Sequence, residues 1–276
     1  MPSATLQEIL EYRGVEGLVA ARVLTDDDAN GYTTGDVFAI AGVAEISKTT
    51  DSSNEAHYYD NIPAVIVSNT AADEITINAS AIPLDVLAEI TGQNYDSTTG
   101  SFIEGPRDFH YFALGYKTQK TNGDEVYVWR LKGTFNIPDQ TNATQDDGTD
   151  ANGQEIVYTG ISTTHKFTKT NKGAKAINVD VAKDLADVTN FFDTVTTPDS
   201  LTAKTHYTLT VNQAANTTLT VKRGSEVLGN NATINAGDVL TITCTGGTIT
   251  VNGTAFISGN MHVVTANTTV ASTASA

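Results

Sequence analysis

Cysteine is nearly missing from this 276-residue chain: Cys244 is the only one, which rules out an intramolecular disulfide framework. It falls in phase with Leu240 and Ile242 in Leu240-Thr241-Ile242-Thr243-Cys244, the mark of a buried, inert thiol. Basic side chains are scarce, with 16 Lys and Arg against 32 Asp and Glu, a formal net charge of −16. Wrapping nucleic acid requires Lys and Arg against phosphate, and an anionic membrane surface makes the same demand. Both are poor partners for this chain. No apolar run reaches membrane-spanning length. Met1-Pro2-Ser3 begins neither the basic stretch nor the apolar core of a secretory leader, which points to cytoplasmic synthesis.

The usual signatures of chemistry are missing as well. His57, His110, His165, His206 and His262 show no H-x-x-x-H or H-x-H spacing, so neither zinc nor a catalytic histidine network is supported. There is no G-x-S-x-G elbow, no P-loop and no dinucleotide fingerprint. The nearest approach to a metal motif is Asp26-Asp27-Asp28-Ala29-Asn30-Gly31, the first half of an EF-hand loop. The twelfth position of that loop is Val37 where calcium needs a bidentate Glu, and the flanks read as strands, so an acidic hairpin tip is expected. Asp28-Ala29-Asn30-Gly31 recurs as Asp150-Ala151-Asn152-Gly153, which suggests two similar turns. The sequon-like Asn142-Ala143-Thr144 and Asn231-Ala232-Thr233 carry little meaning without a leader. No catalytic, cofactor-binding or metal-ligating residue is nominated.

What the chain does have is alternation. Ile75, Ile77 and Ala79 face one way and Thr76, Asn78 and Ser80 the other, a half-buried strand. A short helix over Leu84–Ile90 should follow, with Ser80 as its N-cap, Pro83 in its first turn and Gly92 ending it. Further strands are expected at Gly17–Leu24, Asp36–Ile46, Glu55–Tyr59, Ala64–Ser68, Ile156–Phe167 and Ala176–Val181. Residues 4–12 read as a short helix or a terminal arm, and Asp187–Val195 as a second short helix with Val188, Phe191 and Phe192 inward. The clearest hairpin joins Phe109–Lys117 to Glu125–Gly133 through Thr121-Asn122-Gly123-Asp124. Both of its arms are apolar on both faces, so one face needs a second layer or a neighbouring subunit. Phe109, Tyr111, Phe112, Tyr127 and Trp129 would suit either core or a sugar-binding face. Asn136–Gln154 reads as a long polar loop.

The composition divides near Pro198. Residues 1–200 hold 30 acidic and 13 basic side chains, a formal −17, against +1 for 201–276. Beyond the junction, Tyr207, Leu209 and Val211, then Leu219 and Val221, then Leu240 and Ile242 alternate with Thr-rich outer positions. Short strands separated by turns at Gly229-Asn230, Gly246-Gly247 and Asn252-Gly253 read as a small β-sandwich. Ala271–Ala276 reads as a disordered tail. The expected architecture is mainly β, with a flanking short helix, in two domains, 1–198 and 199–276.

One resemblance adds to this. Tyr59-Asp60-Asn61-Ile62-Pro63 precedes a strand, then the helix with Gly92, then Phe112-Ala113-Leu114-Gly115-Tyr116 and Leu131-Lys132-Gly133-Thr134-Phe135. That order resembles the major tail proteins, or tail-tube subunits, of long non-contractile-tailed bacteriophages of Gram-positive hosts, over roughly residues 10–195. The family usually has Ala where this chain has Tyr59. Residues 201–276 lie outside the pattern and match the optional immunoglobulin-like domain that several such proteins carry. The resemblance implies two packed sheets with a flanking helix, and hexameric rings whose inner sheets join into a barrel. Those rings stack into a tube that conducts DNA without binding it. It implies no enzyme activity and no cofactor. The implied partners are further copies of the chain and the tape-measure, tail-tip and tail-terminator proteins. Host-surface glycans are a further expected partner, through the C-terminal domain. Inter-ring contacts are expected in the N-terminal arm and in Asn136–Gln154. The alternative reading is a cell-surface carbohydrate-binding β-protein.

Overall fold

The computed structural model describes residues 9–59, 61–140 and 153–275. They form two compact units, one ending at Thr202 and the other starting at Ala203, just beyond the expected junction. The first holds β1 (Tyr12–Asp27), β2 (Gly31–Ala39), β3 (Val43–Tyr59), β4 (Ile62–Ala79), α1 (Leu84–Thr91), β5 (Asn94–Asp96) and β6 (Ser101–Ile103). β7 (Phe112–Lys120), β8 (Glu125–Phe135), β9 (Asp139–Gln140), β10 (Gln154–Gly160) and β11 (Ala176–Asp180) follow. Nine of these strands make one sheet in the order β2-β1-β7-β8-β10-β4-β3, with β9 beside β10 and β11 beside β8. β5 and β6 pair separately. The fold is mainly β, as expected.

The sheet curls, because β3 at its far edge comes back toward β1. Inside the curl lies one core, built from Leu18 and Ala20, Ile75 and Ile77, Phe112 and Leu114, Val126 and Val128, and Ile156 and Tyr158. α1 packs on this core through Leu87 and Ile90. The alternate residues of the same strands, Ala21, Ala113, Trp129 and Leu131, point the other way into a second cluster. Phe167, Phe191 and Val195 complete it, and the Trp129 indole donates to the Phe191 carbonyl at 2.8 Å. The two-sided hairpin therefore finds its second layer in its own chain, over residues 161–202. No neighbouring subunit is required for that face.

Several local expectations need correction. Residues 40–42 break Asp36–Ile46 into β2 and β3. Tyr12 starts a strand, paired with Lys120, where a short helix or a terminal arm was expected; residues 4–8 lie outside the described residues. Ser80 does not cap α1, since it lies too far upstream; its hydroxyl accepts the Gly42 N–H at 3.1 Å, and Pro83 takes the capping position. Gly92 does end the helix, with φ 69° and a backbone so close to Asp108 that a Cβ would overlap the Asp108 carbonyl oxygen. Asp187–Val195 forms turns. Asp187 accepts from the backbone and hydroxyl of Thr189, a local bond that competes with helix, while Phe191 and Val195 are still buried. Ile156–Phe167 stops being strand at Gly160. β9 pairs with β10 at the base of the Asn136–Gln154 stretch, and its residues 141–152 lie outside those described.

The second unit holds β12 (His206–Asn212), β13 (Thr218–Arg223), β14 (Glu226–Leu228), β15 (Ala232–Asn235), β16 (Val239–Thr245), β17 (Gly247–Val251), β18 (Thr254–Phe256), β19 (Met261–Val263) and β20 (Thr268–Ala274). A five-stranded sheet, β15-β12-β20-β17-β18, and a four-stranded sheet, β14-β13-β16-β19, share one core. It contains Leu209, Val221, Ile234, Leu240, Ile242 and Val270, and Cys244 is buried within it. The tail expected at Ala271–Ala276 is instead largely β20, the central strand of its sheet. It pairs parallel with β12 and antiparallel with β17, burying Val270 completely.

Candidate assembly surface

β3 and β4 form one long hairpin in which strands expected separately at Glu55–Tyr59, Ala64–Ser68 and Glu74–Ser80 run together. β10 pairs with β4 only from Asp73 to Ala79. Beyond Asp73 the hairpin leaves the sheet as a ribbon that, among the described residues, pairs only with itself, out to Tyr59 and Ile62. Residues 51–59, at about 3.3 Å each, carry it about 30 Å from its root. Between its two strands Asn61, in the tail-protein-like stretch, sits at φ 63°. Ile62 and Val65 stand 65% and 49% exposed on it. A free two-stranded ribbon is only marginally stable in water. This one offers apolar side chains and unpaired outer edges to a partner.

The root is pinned by charge. The buried Asp73 carboxylate accepts from Arg130 Nη1 at 3.0 Å, from the Thr50 hydroxyl at 2.9 Å and from Lys175 Nζ at 3.2 Å. Lys175 also donates to the Ala71 carbonyl. Burial pushes the Asp73 carboxyl upward, yet its hydrogen bonds to Thr50 and Lys175 and the nearby Lys48 charge outweigh this and hold it below its usual value. Between Thr50 and Asp73 the sequence carries Asp51, Glu55 and Asp60 and no Lys or Arg.

The EF-hand-like stretch is a β1–β2 hairpin tip whose carboxylates serve protein donors. Asp26 accepts from Lys132 Nζ and from the backbone N–H groups of Thr164 and His165. Asp27 takes the N–H groups of Ala29 and Asn30, and Asp28 that of Lys166. Burial raises the Asp26 carboxyl, but the Lys132 hydrogen bond and the two backbone donors bring it below its usual value. The tip thus clamps the covering segment at Thr164–Lys166 onto the sheet. Val37 packs against the Trp129 layer.

The five histidines stay apart. His57 is exposed on the ribbon, and His110 meets Arg22 at 3.0 Å. The His165 ring faces the Asp27 carbonyl, His206 pairs with Asn235, and His262 lies edge-on to Phe256. The aromatic run also divides among three surroundings. Phe112 belongs to the inner core, Trp129 and Tyr127 to the outer layer, and Phe109 is 68% exposed against Tyr111. They do not make one flat face.

No helix among the described residues is long and apolar enough to cross a membrane. No protein-family model matches the chain, and no curated protein matches it.

Proposed function

We propose that this chain is a structural virion protein, a tail-tube subunit that self-assembles into stacked hexameric rings. The tube conducts phage DNA to the host. The observation that carries the reading is the self-paired β3–β4 ribbon, an element with exposed apolar side chains whose edges no other strand covers among the described residues. It coincides with the Tyr59–Pro63 stretch on which the resemblance to tail proteins rests. The acidic excess supports the same reading, because a conduit whose wall repels phosphate lets DNA pass without adhering. β2 and β3 end the curled sheet, and pairing such edges between copies would remove the hazard of open strand edges.

In this reading the protein resides in the virion tail after synthesis in the bacterial cytoplasm. Its partners are other copies of itself and the proteins that start, measure and end the tail. No residue acts catalytically. The 203–276 sandwich decorates the tube and is the unit available for weak host-surface glycan binding, with avidity from many copies. A lectin reading of the first unit gains no support from its aromatics, which do not share a surface.

Replacing residues 51–72 by a tight Asn-Gly turn tests the proposal. The variant is expected to remain folded by circular dichroism and to lose assembly. Tubes of normal width from that variant would contradict it.

A further inference from the structure

Where β8 forks, its second half pairs with β10 and its first half with β11. A groove of about 590 Å³ opens there, lined by Tyr12, Ile46, Val126 and Val128, with Lys48 and Arg130 among its walls. Its apolar lining and these two cations suit it to an occupant that brings apolar side chains and negative charge.

We infer that the β3–β4 ribbon of a second copy occupies this groove. The inference rests on the assembly reading and deepens it. The ribbon supplies the matching chemistry: Ile62 and Val65 are exposed, its outer edges pair with no further strand among the described residues, and the exposed Glu55, toward the tip, brings negative charge to Lys48 and Arg130. The occupant comes from another copy for a geometric reason. Lys48 and Arg130 adjoin the ribbon's root, through Thr50 and Asp73, so the tip lies about 30 Å from its own groove. Ribbon and groove are different surfaces of one chain. Their contact is therefore head-to-tail and continues from copy to copy without closing on a pair.

Cysteine cross-linking of the full chain in a Cys244→Ala background tests this. A Val65→Cys chain mixed with a Tyr12→Cys chain is expected to give a disulfide-linked dimer on a non-reducing gel, while each chain alone gives none. A link formed by Val65→Cys alone would show ribbon against ribbon and overturn the inference. So would a link within one chain bearing both cysteines. Tubes without any cross-link would overturn the groove contact and leave the tail-tube reading standing; monomers at every concentration would remove both. Val65→Asp, at an exposed position, is expected to raise the critical concentration for assembly about tenfold or more while leaving the unfolding midpoint unchanged.

Discussion

Asp73 and Arg130 meet 3.0 Å apart at the last residue of β4 that pairs with β10. From there, among the described residues, β4 pairs only with β3. The pair ties the ribbon's root to β8, and Lys175 reaches the same carboxylate from the covering segment. Removing one member leaves the other buried without its counter-charge. Asp73→Ala is expected to cost about 3 kcal/mol or more in urea unfolding. An Asp73→Leu, Arg130→Met double variant should cost less than the sum of the single variants. Additive losses would mean the two charges do not act as a pair.

Acid sensitivity follows from Asp26 and Asp73. Both carboxyls lie below the ordinary value of 3.8, so both bind fewer protons folded than unfolded. Their stabilisation is present above about pH 4 and is lost as the pH falls through the depressed folded values. Lys132→Met removes the first donor to Asp26 and should flatten the loss of stability below about pH 4. Equal slopes for variant and wild type in a pH series of thermal melts would contradict this.

Gly133 lies where a Cβ would come 2.5 Å from the Thr159 carbonyl oxygen and 2.4 Å from the Tyr158 ring. Tyr158 is fully buried, and its hydroxyl donates to the Phe112 carbonyl, so the ring cannot move aside cheaply. Gly133→Ala is expected to destabilise the first unit by about 1–3 kcal/mol. A neutral result in chemical denaturation would show that β8 and β10 can separate without cost.

The C-terminus offers a sharper contrast. Ending the chain after Asn267 removes β20 from the centre of its sheet and exposes the partners of Val270. The second unit should then lose its cooperative unfolding transition. Ending it after Ala274 should leave that transition in place. Calorimetry of the two truncations distinguishes them.

The parts of this fold legible in the sequence are those with strong local signals. Asn122-Gly123 placed the β7–β8 hairpin, and Thr-rich alternation placed the C-terminal sandwich. β20 was hidden because Ala, Ser and Thr supply little hydrophobic contrast; its partners, not its own residues, make it a strand. The ribbon was read as separate pieces because Ser52, Ser53, Asn54 and Pro63 resemble loop residues. Its clue in the sequence is Asp60-Asn61, a turn-favouring pair between Tyr58-Tyr59 and Ile62-Pro63. The Asp73–Arg130 pin spans 57 positions and left no local trace. In the covering segment 161–202 the strand at Ala176–Val181 and the inward Phe191 are legible, whereas Phe167 and Val195 join the cluster around Trp129 only through tertiary packing.

The central claim is that this chain builds a tube. Negative-stain electron microscopy of the concentrated protein, before and after extended incubation, measures that most directly. Hollow tubes or rings of uniform width, bearing outer knobs that vanish on truncation after Thr202, are the expected result. Compact monomers throughout, at every concentration and time, would contradict it.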